Sequence, residues 1–178
     1  MKNPVRKTLF TVLASGMLIG IPGGIPGGMT SSAAAEPPNP FGTDYCSLFF
    51  NGTPQAPDLW RDCCVEHDLT FWAGGTLQAR KRADLKLEGC VCEAGACEIA
   101  KLMYWGVKTG RLWPYKFKRQ QWGNAWGTEL NYRKLTSEEV HQIYDGLGGL
   151  FLPVKDPEGL RERLRAALMK DLVEGTQG

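Results

Sequence analysis

Six cysteines, at positions 46, 63, 64, 90, 92 and 97, crowd the middle of this 178-residue chain. No other feature restricts the fold as much, because cross-links dictate which segments lie side by side. An even count behind an export signal reads as three disulfides. The alternative is a set of metal thiolates, with Cys92 and Cys97 as one pair and Cys63 and Cys64 as another. Adjacent cysteines chelate one ion poorly and no C-x-x-C spacing is present, so disulfides are the stronger reading.

The export signal is written at the start. Lys2, Arg6 and Lys7 give a basic opening, Leu9 to Ile21 is mostly apolar, and Ser32-Ala33-Ala34-Ala35 supplies small residues for a signal peptidase. Residues 1–35 are expected to be a signal peptide cleaved after Ala35. A membrane anchor is the competing reading. The apolar run is short for one, and Pro-Gly-Gly at 22–24 and 26–28 breaks it. No cysteine stands near the cleavage site to take a lipid. The expected location is secreted or the periplasm and cell envelope. Without the three basic groups of that segment, 18 Lys and Arg face 19 Asp and Glu. This near-neutral balance gives no reason to expect nucleic acid as a partner.

Residues 36–178 read as one mainly helical, all-α domain. The Pro-rich stretch 36–45 is extended and Cys46 to Gly52 is a loop. Asp58 to Trp72 reads as a helix that Ala73-Gly74-Gly75-Thr76 stops. Thr76 then caps a second helix running to about Cys90, with apolar positions 83, 87 and 91. A third helix spans about 95–108. Residues 112–132 interleave Trp113, Tyr115, Phe117, Trp122, Trp126 and Tyr132 with Lys, Arg and Gly, which predicts irregular structure with an aromatic surface. Such a mixture suits a lipid interface, although most of these rings can equally pack the C-terminal half against the helices. Thr136-Ser137-Glu138-Glu139 fits a capping box. After a Gly-rich loop at 146–149, Asp156-Pro157 opens a last helix striped by Leu160, Leu164, Leu168 and Leu172 and ended by Gly175.

The two central helices carry the chemistry. In an antiparallel hairpin, residues equidistant from the turn face each other. His67 and Asp84 have their midpoint at 75.5, and Cys63 and Cys90 at 76.5. Both pairs select the same turn, and the glycines stand there. Cys63 and His67 are four apart and share a helix face. One face would thus hold a disulfide and, one helical turn away, an imidazole beside a carboxylate. Asp84 can accept the proton of one ring nitrogen and leave the other as a base. No serine in an elbow context offers a nucleophile, so the base would activate water. Asp68, about 100° further round the helix, is placed to hold a hard cation, with backbone carbonyls after Cys46 completing an oxygen shell. Such a cation would stabilise a developing oxyanion.

At these residues the chain resembles the secreted phospholipase A2 family. The family's active-site helix carries Cys-Cys-x-x-His-Asp, which stands here as Cys63-Cys64-Val65-Glu66-His67-Asp68. Its second long helix carries an Asp followed six residues later by a Cys, matched by Asp84 and Cys90. The resemblance covers about 46–92 and leaves 111–178 as a C-terminal extension. It implies a phospholipase A2-like core of two antiparallel disulfide-linked helices. It also implies calcium-dependent hydrolysis of the sn-2 acyl ester of glycerophospholipids. His67 would be the base, Asp84 its partner and Asp68 the Ca2+ ligand, with Ser47 and Phe49 adding backbone carbonyls. The implied pairings are Cys63–Cys90 and Cys46–Cys64. Cys92–Cys97 remains as a local bridge that the family does not supply. The implied partner is a phospholipid membrane surface or aggregated lipid, met by a monomer.

Several positions depart from the family. Ser47-Leu48-Phe49-Phe50-Asn51-Gly52 is not the usual glycine-rich calcium loop. Thr70 and Ala83 stand where the family commonly has a further cystine. Phe71 replaces a Tyr that supports the partner Asp, so that support is either lost or comes from elsewhere, with Tyr104 as a candidate. The short connection between the helices marks a reduced, microbial-type member. Phe49, Phe50, Trp60 and Trp72 are candidates to line an acyl pocket or fill the core, and His141 has no assigned role. The altered loop and Phe71 also fit a non-catalytic module that keeps the scaffold to bind lipid or protein.

Overall fold

The computed structural model describes residues 37–110, 121–127 and 132–174. The expected signal segment, Trp113, Tyr115, Phe117 and the terminal Gly175 lie outside them. Among the described residues every regular element is helical: α1 (Arg61–Ala73), α2 (Leu77–Glu93), α3 (Cys97–Thr109), a short 3₁₀ turn (Asn124–Trp126), α4 (Ser137–Leu147) and α5 (Pro157–Glu174). This is an all-α bundle cross-linked by disulfides.

Local chemistry sets the helix boundaries. α1 begins three residues after the expected Asp58, because residues 56–60 are spent on a turn. Leu59 N donates to Ala56 O at 3.1 Å and Trp60 N to Asn51 O at 2.9 Å. α2 begins where the Thr76 side chain accepts from Ala79 N, which satisfies one of the free amides of a first turn. α4 has a full capping box between Thr136 and Glu139, clamped by Arg133 Nη1 on Glu139 Oε2 at 2.7 Å. The open end of α4 is closed by α5. Arg161, buried, donates from Nε to Leu147 O at 2.8 Å, at the last residue of α4, and from Nη2 to Leu150 O at 2.8 Å in the connection that follows.

α1 lies between two cores. Val65, Leu69, Trp72 and Ala73 pack with Val140, Ile143 and Leu147 of α4 and Leu160, Leu164 and Leu168 of α5. Cys63 and Cys64 pack with Leu87 and Val91 of α2, Ala100 and Met103 of α3, and Trp60. Disulfides Cys63–Cys90, Cys46–Cys64 and Cys92–Cys97 lie in and beside this second core. The first joins α1 to α2, the second ties the preceding loop to α1, and the third spans the α2–α3 connection.

The α1–α2 turn rests on glycine. Gly74 has φ +78, and a Cβ there would sit 2.6 Å from Gly123 Cα; both the backbone angle and the contact exclude a larger residue. The turn's carbonyls are capped by indoles: Trp126 Nε1 donates to Ala73 O at 3.0 Å and Trp122 Nε1 to Gly75 O at 2.9 Å. The expected aromatic surface is corrected for these two rings. Trp122 is buried and Trp126 half-buried, because each indole N–H finds its acceptor inside the turn. Trp60 and Trp72 are core residues, Phe49 is half-buried and Phe50 is exposed.

Candidate functional site

His67 projects from the middle of α1, one turn after Cys63, and meets Asp84 of α2. The Nε2···Oδ1 distance is 2.9 Å, and the two residues are 8% and 5% exposed. A carboxylate only accepts, so Nε2 carries the proton and Nδ1 presents its lone pair. None of the described residues hydrogen-bonds Nδ1. Both helices are rigid here, because Cys63–Cys90 locks them one turn away.

A buried carboxylate needs more than one neutral donor. Asp84 has Arg80, one helical turn earlier, with Nε 4.0 Å from Oδ2. Arg80 is itself buried and fully engaged. It donates to the Tyr132 hydroxyl and to Val107 O, the latter at 3.3 Å, and its guanidinium lies 5.2 Å from the Phe71 ring centre. Phe71 in turn stacks on the His67 ring at 4.2 Å and meets the edge of Trp122 at 5.1 Å. The imidazole is thus held by a hydrogen bond at one nitrogen and a ring against its face. The expectation that Tyr104 supports Asp84 is corrected. Its ring contacts are to Trp105 and Lys108 of its own helix, and Arg80 does that work.

Beside this pair runs a shallow groove between α1 and α2. Its walls are Cys63, Glu66, His67 and Thr70 on one helix and Ala83, Lys86, Leu87 and Cys90 on the other. Glu66 stands at its edge in an ion pair with Lys86 and, at 3.1 Å, with Arg163 of α5.

Asp68 has a different fate. Thr43 Oγ1 donates to its Oδ2 at 2.6 Å, and Tyr45 N fixes that hydroxyl from behind at 2.9 Å. Burial pushes the Asp68 carboxyl up to about 7, with Asp44 adding to the rise and the Thr43 hydroxyl opposing it. The expectation of Ca2+ is overturned. Among the described residues no group of three or more His, Cys, Asp or Glu comes together to hold a metal ion. In the loop that carries Ser47 and Phe49, Ser47 Oγ donates to Asp44 Oδ1 at 2.6 Å and Phe49 N to Cys46 O at 2.6 Å.

The arrangement is a His–Asp pair able to take a proton from water and return it to a leaving group, which is the chemistry of acid–base hydrolysis. Sequence reasoning did not find Arg80, Tyr132 or Thr43. The i, i+4 spacing of Arg80 and Asp84 was the available signal for the first; Tyr132 and Thr43 arrive through tertiary contacts that no local pattern announces. No protein-family model, curated protein or solved structure matches the chain.

Proposed function

We propose that this protein hydrolyses the sn-2 acyl ester of glycerophospholipids, with His67 drawing a proton from the attacking water. The observation that carries this reading is the buried 2.9 Å pair between His67 and Asp84, braced by Cys63–Cys90. In it, Nδ1 takes the water proton, Asp84 stabilises the resulting imidazolium, and the ring then protonates the departing alkoxide of the glycerol. The likeness of residues 46–92 to the secreted phospholipase A2 pattern supports the substrate. The three cross-links support an oxidising compartment outside the cytosol.

The test is release of the sn-2 fatty acid from phosphatidylcholine. His67→Gln is expected to lower the rate by about 10²–10⁴-fold while the thermal midpoint stays near that of the parent. Undiminished release by that variant would end the proposal. A second reading, a non-catalytic lipid- or protein-binding module, is favoured by the shallowness of the groove. It requires no fatty-acid release from the parent protein either.

A further inference from the structure

Cys92–Cys97 is the cross-link that the phospholipase A2 resemblance does not supply, and it takes no part in the dyad or its groove. Cys92 lies in the last turn of α2 and Cys97 is the first residue of α3. The bridge therefore closes only the short connection between them. That connection is already closed by its own backbone. Ala94 N donates to Cys90 O at 3.1 Å, Gly95 N to Cys92 O at 2.9 Å and Ala96 N to Val91 O at 3.2 Å. Gly95, with φ +90, supplies the left-handed turn. Leu87 and Val91 of α2 share a core with Ala100 and Met103 of α3. A cross-link stabilises mainly through the chain entropy it removes, and a short loop removes least. Cys46–Cys64 and Cys63–Cys90 span 18 and 27 residues, against 5 here.

Access separates the three bridges in the same order. Cys46, Cys63 and Cys64 are 5%, 7% and 3% exposed, so each of the other two bridges has an enclosed cysteine. Cys97 is exposed and Cys92 half-buried. An external thiolate must reach a sulfur to exchange with it, so burial protects the first two bridges and not the third. Helix α2 also insulates the brace of the dyad. Cys90 and Cys92 are two residues apart, a spacing at which helical side chains do not face each other. A thiolate freed at Cys92 is turned away from Cys63–Cys90.

We propose that Cys92–Cys97 is a redox-active bridge, opened by a dithiol that attacks at Cys97, with Cys46–Cys64 and Cys63–Cys90 left intact. One thiolate of the dithiol bonds to Cys97 Sγ, the Cys92–Cys97 bond breaks, and Cys92 leaves as a thiolate that takes a proton from water. The second thiol of the dithiol, deprotonated, then attacks its own half of the mixed disulfide. Cys97 leaves as a thiolate in the first turn of α3, whose free backbone N–H groups favour negative charge. The dithiol closes to a cyclic disulfide, and two electrons have passed to the protein. A monothiol stalls at the first step, because the hydrogen-bonded connection keeps Cys92 beside Cys97 and Cys92 expels it again. This chemistry uses no residue of the hydrolytic site, and neither stands or falls with the other.

The test is timed exposure of the purified, folded protein to dithiothreitol, followed by iodoacetamide and peptide mapping by mass spectrometry. Cys92 and Cys97 are expected to become alkylated together, at least about tenfold faster than Cys46, Cys63, Cys64 and Cys90, with the helical circular dichroism unchanged. Equal rates for the three bridges overturn the inference, as does earlier opening of either of the other two. So does loss of helix in step with the opening of Cys92–Cys97, or alkylation of both cysteines before any dithiol is added. Glutathione at the same thiol concentration is expected to leave the bridge closed; opening as fast as with dithiothreitol overturns the dithiol class. The point of attack is read from two single variants treated with a chromogenic aromatic disulfide. Cys92→Ala leaves Cys97 as the thiol and Cys97→Ala leaves Cys92. The first is expected to react about tenfold faster, and the reverse order overturns attack at Cys97.

Discussion

Two carboxylates flank the same turn of α1, and the molecule treats them in opposite ways. Asp84 comes from α2 and is enclosed with an imidazole at 2.9 Å and a guanidinium at 4.0 Å. Asp68 belongs to α1 itself and is enclosed with one hydroxyl, a neighbouring acid, and a pKa pushed to about 7. Burial is common to both; the company differs. A carboxylate given an imidazole and a guanidinium as neighbours can orient a base. One given a single neutral donor is driven toward its protonated form. The site is therefore built around Asp84, and proximity to His67 in sequence is not what qualifies a residue for it.

The largest effect should come from emptying the Asp84 position. Asp84→Ala leaves Arg80 buried with no anion and His67 without an orienting acceptor. An orphaned buried charge costs about 3–5 kcal/mol, and urea unfolding should show a loss of that order. Arg80→Met, which also removes the bonds to Tyr132 and Val107, should cost comparably. Combining the two changes should cost clearly less than their sum, since each single change strands the other's partner. A strictly additive double variant would show that Arg80 and Asp84 do not act as a pair.

The residues in this comparison also show what a sequence can display. His67 and Asp84 were legible because a hairpin is symmetric about its turn, and Gly74-Gly75 marked the turn. The starts of α2 and α4 were legible because Thr76 and the Thr136–Glu139 box cap them by local bonds. Arg80 was not. Four residues before an Asp, an Arg reads as half of a surface ion pair, and only Tyr132, 52 residues further on, reveals that it is enclosed. Asp68 was misread for the same reason. Its partner, Thr43, lies 25 residues back in an irregular segment, so the sequence could show an acid next to a histidine but not that burial would neutralise it.

A smaller effect follows from the pH behaviour of Asp68. Its folded-state pKa, pushed up to about 7 by burial, lies well above the ordinary range of an aspartate. The native state therefore binds more protons than the unfolded state across that window, and stability falls as pH rises through it. Each pH unit of that window corresponds to about 1.4 kcal/mol. Asp68 is half-buried rather than sealed, so screening by water reduces the expected loss between about pH 4 and 8 to on the order of 1–2 kcal/mol. Asp68→Asn should flatten this part of the stability profile and be the more stable protein above neutrality. If the profiles of parent and variant run parallel, the protonation assigned to Asp68 is wrong.

The smallest expected effect separates the hydroxyl from the acid. Thr43→Val keeps the volume of the side chain and deletes the hydrogen bond that Thr43 gives the Asp68 carboxyl. That bond favours the charged form, so its loss should drive the Asp68 pKa further upward. At low pH, where the acid is protonated in both states, the variant should lose about 1 kcal/mol, the net worth of one hydrogen bond. At alkaline pH the loss should grow, because Asp68 must then charge without a donor. Asp84 should feel nothing, since its partners are His67 and Arg80 and not Thr43. A Thr43→Val protein with unchanged hydrolytic rate and a stability deficit that widens with pH would fit the two carboxylates having separate functions. A deficit independent of pH would mean that Thr43 serves the loop through Tyr45 N rather than the charge on Asp68.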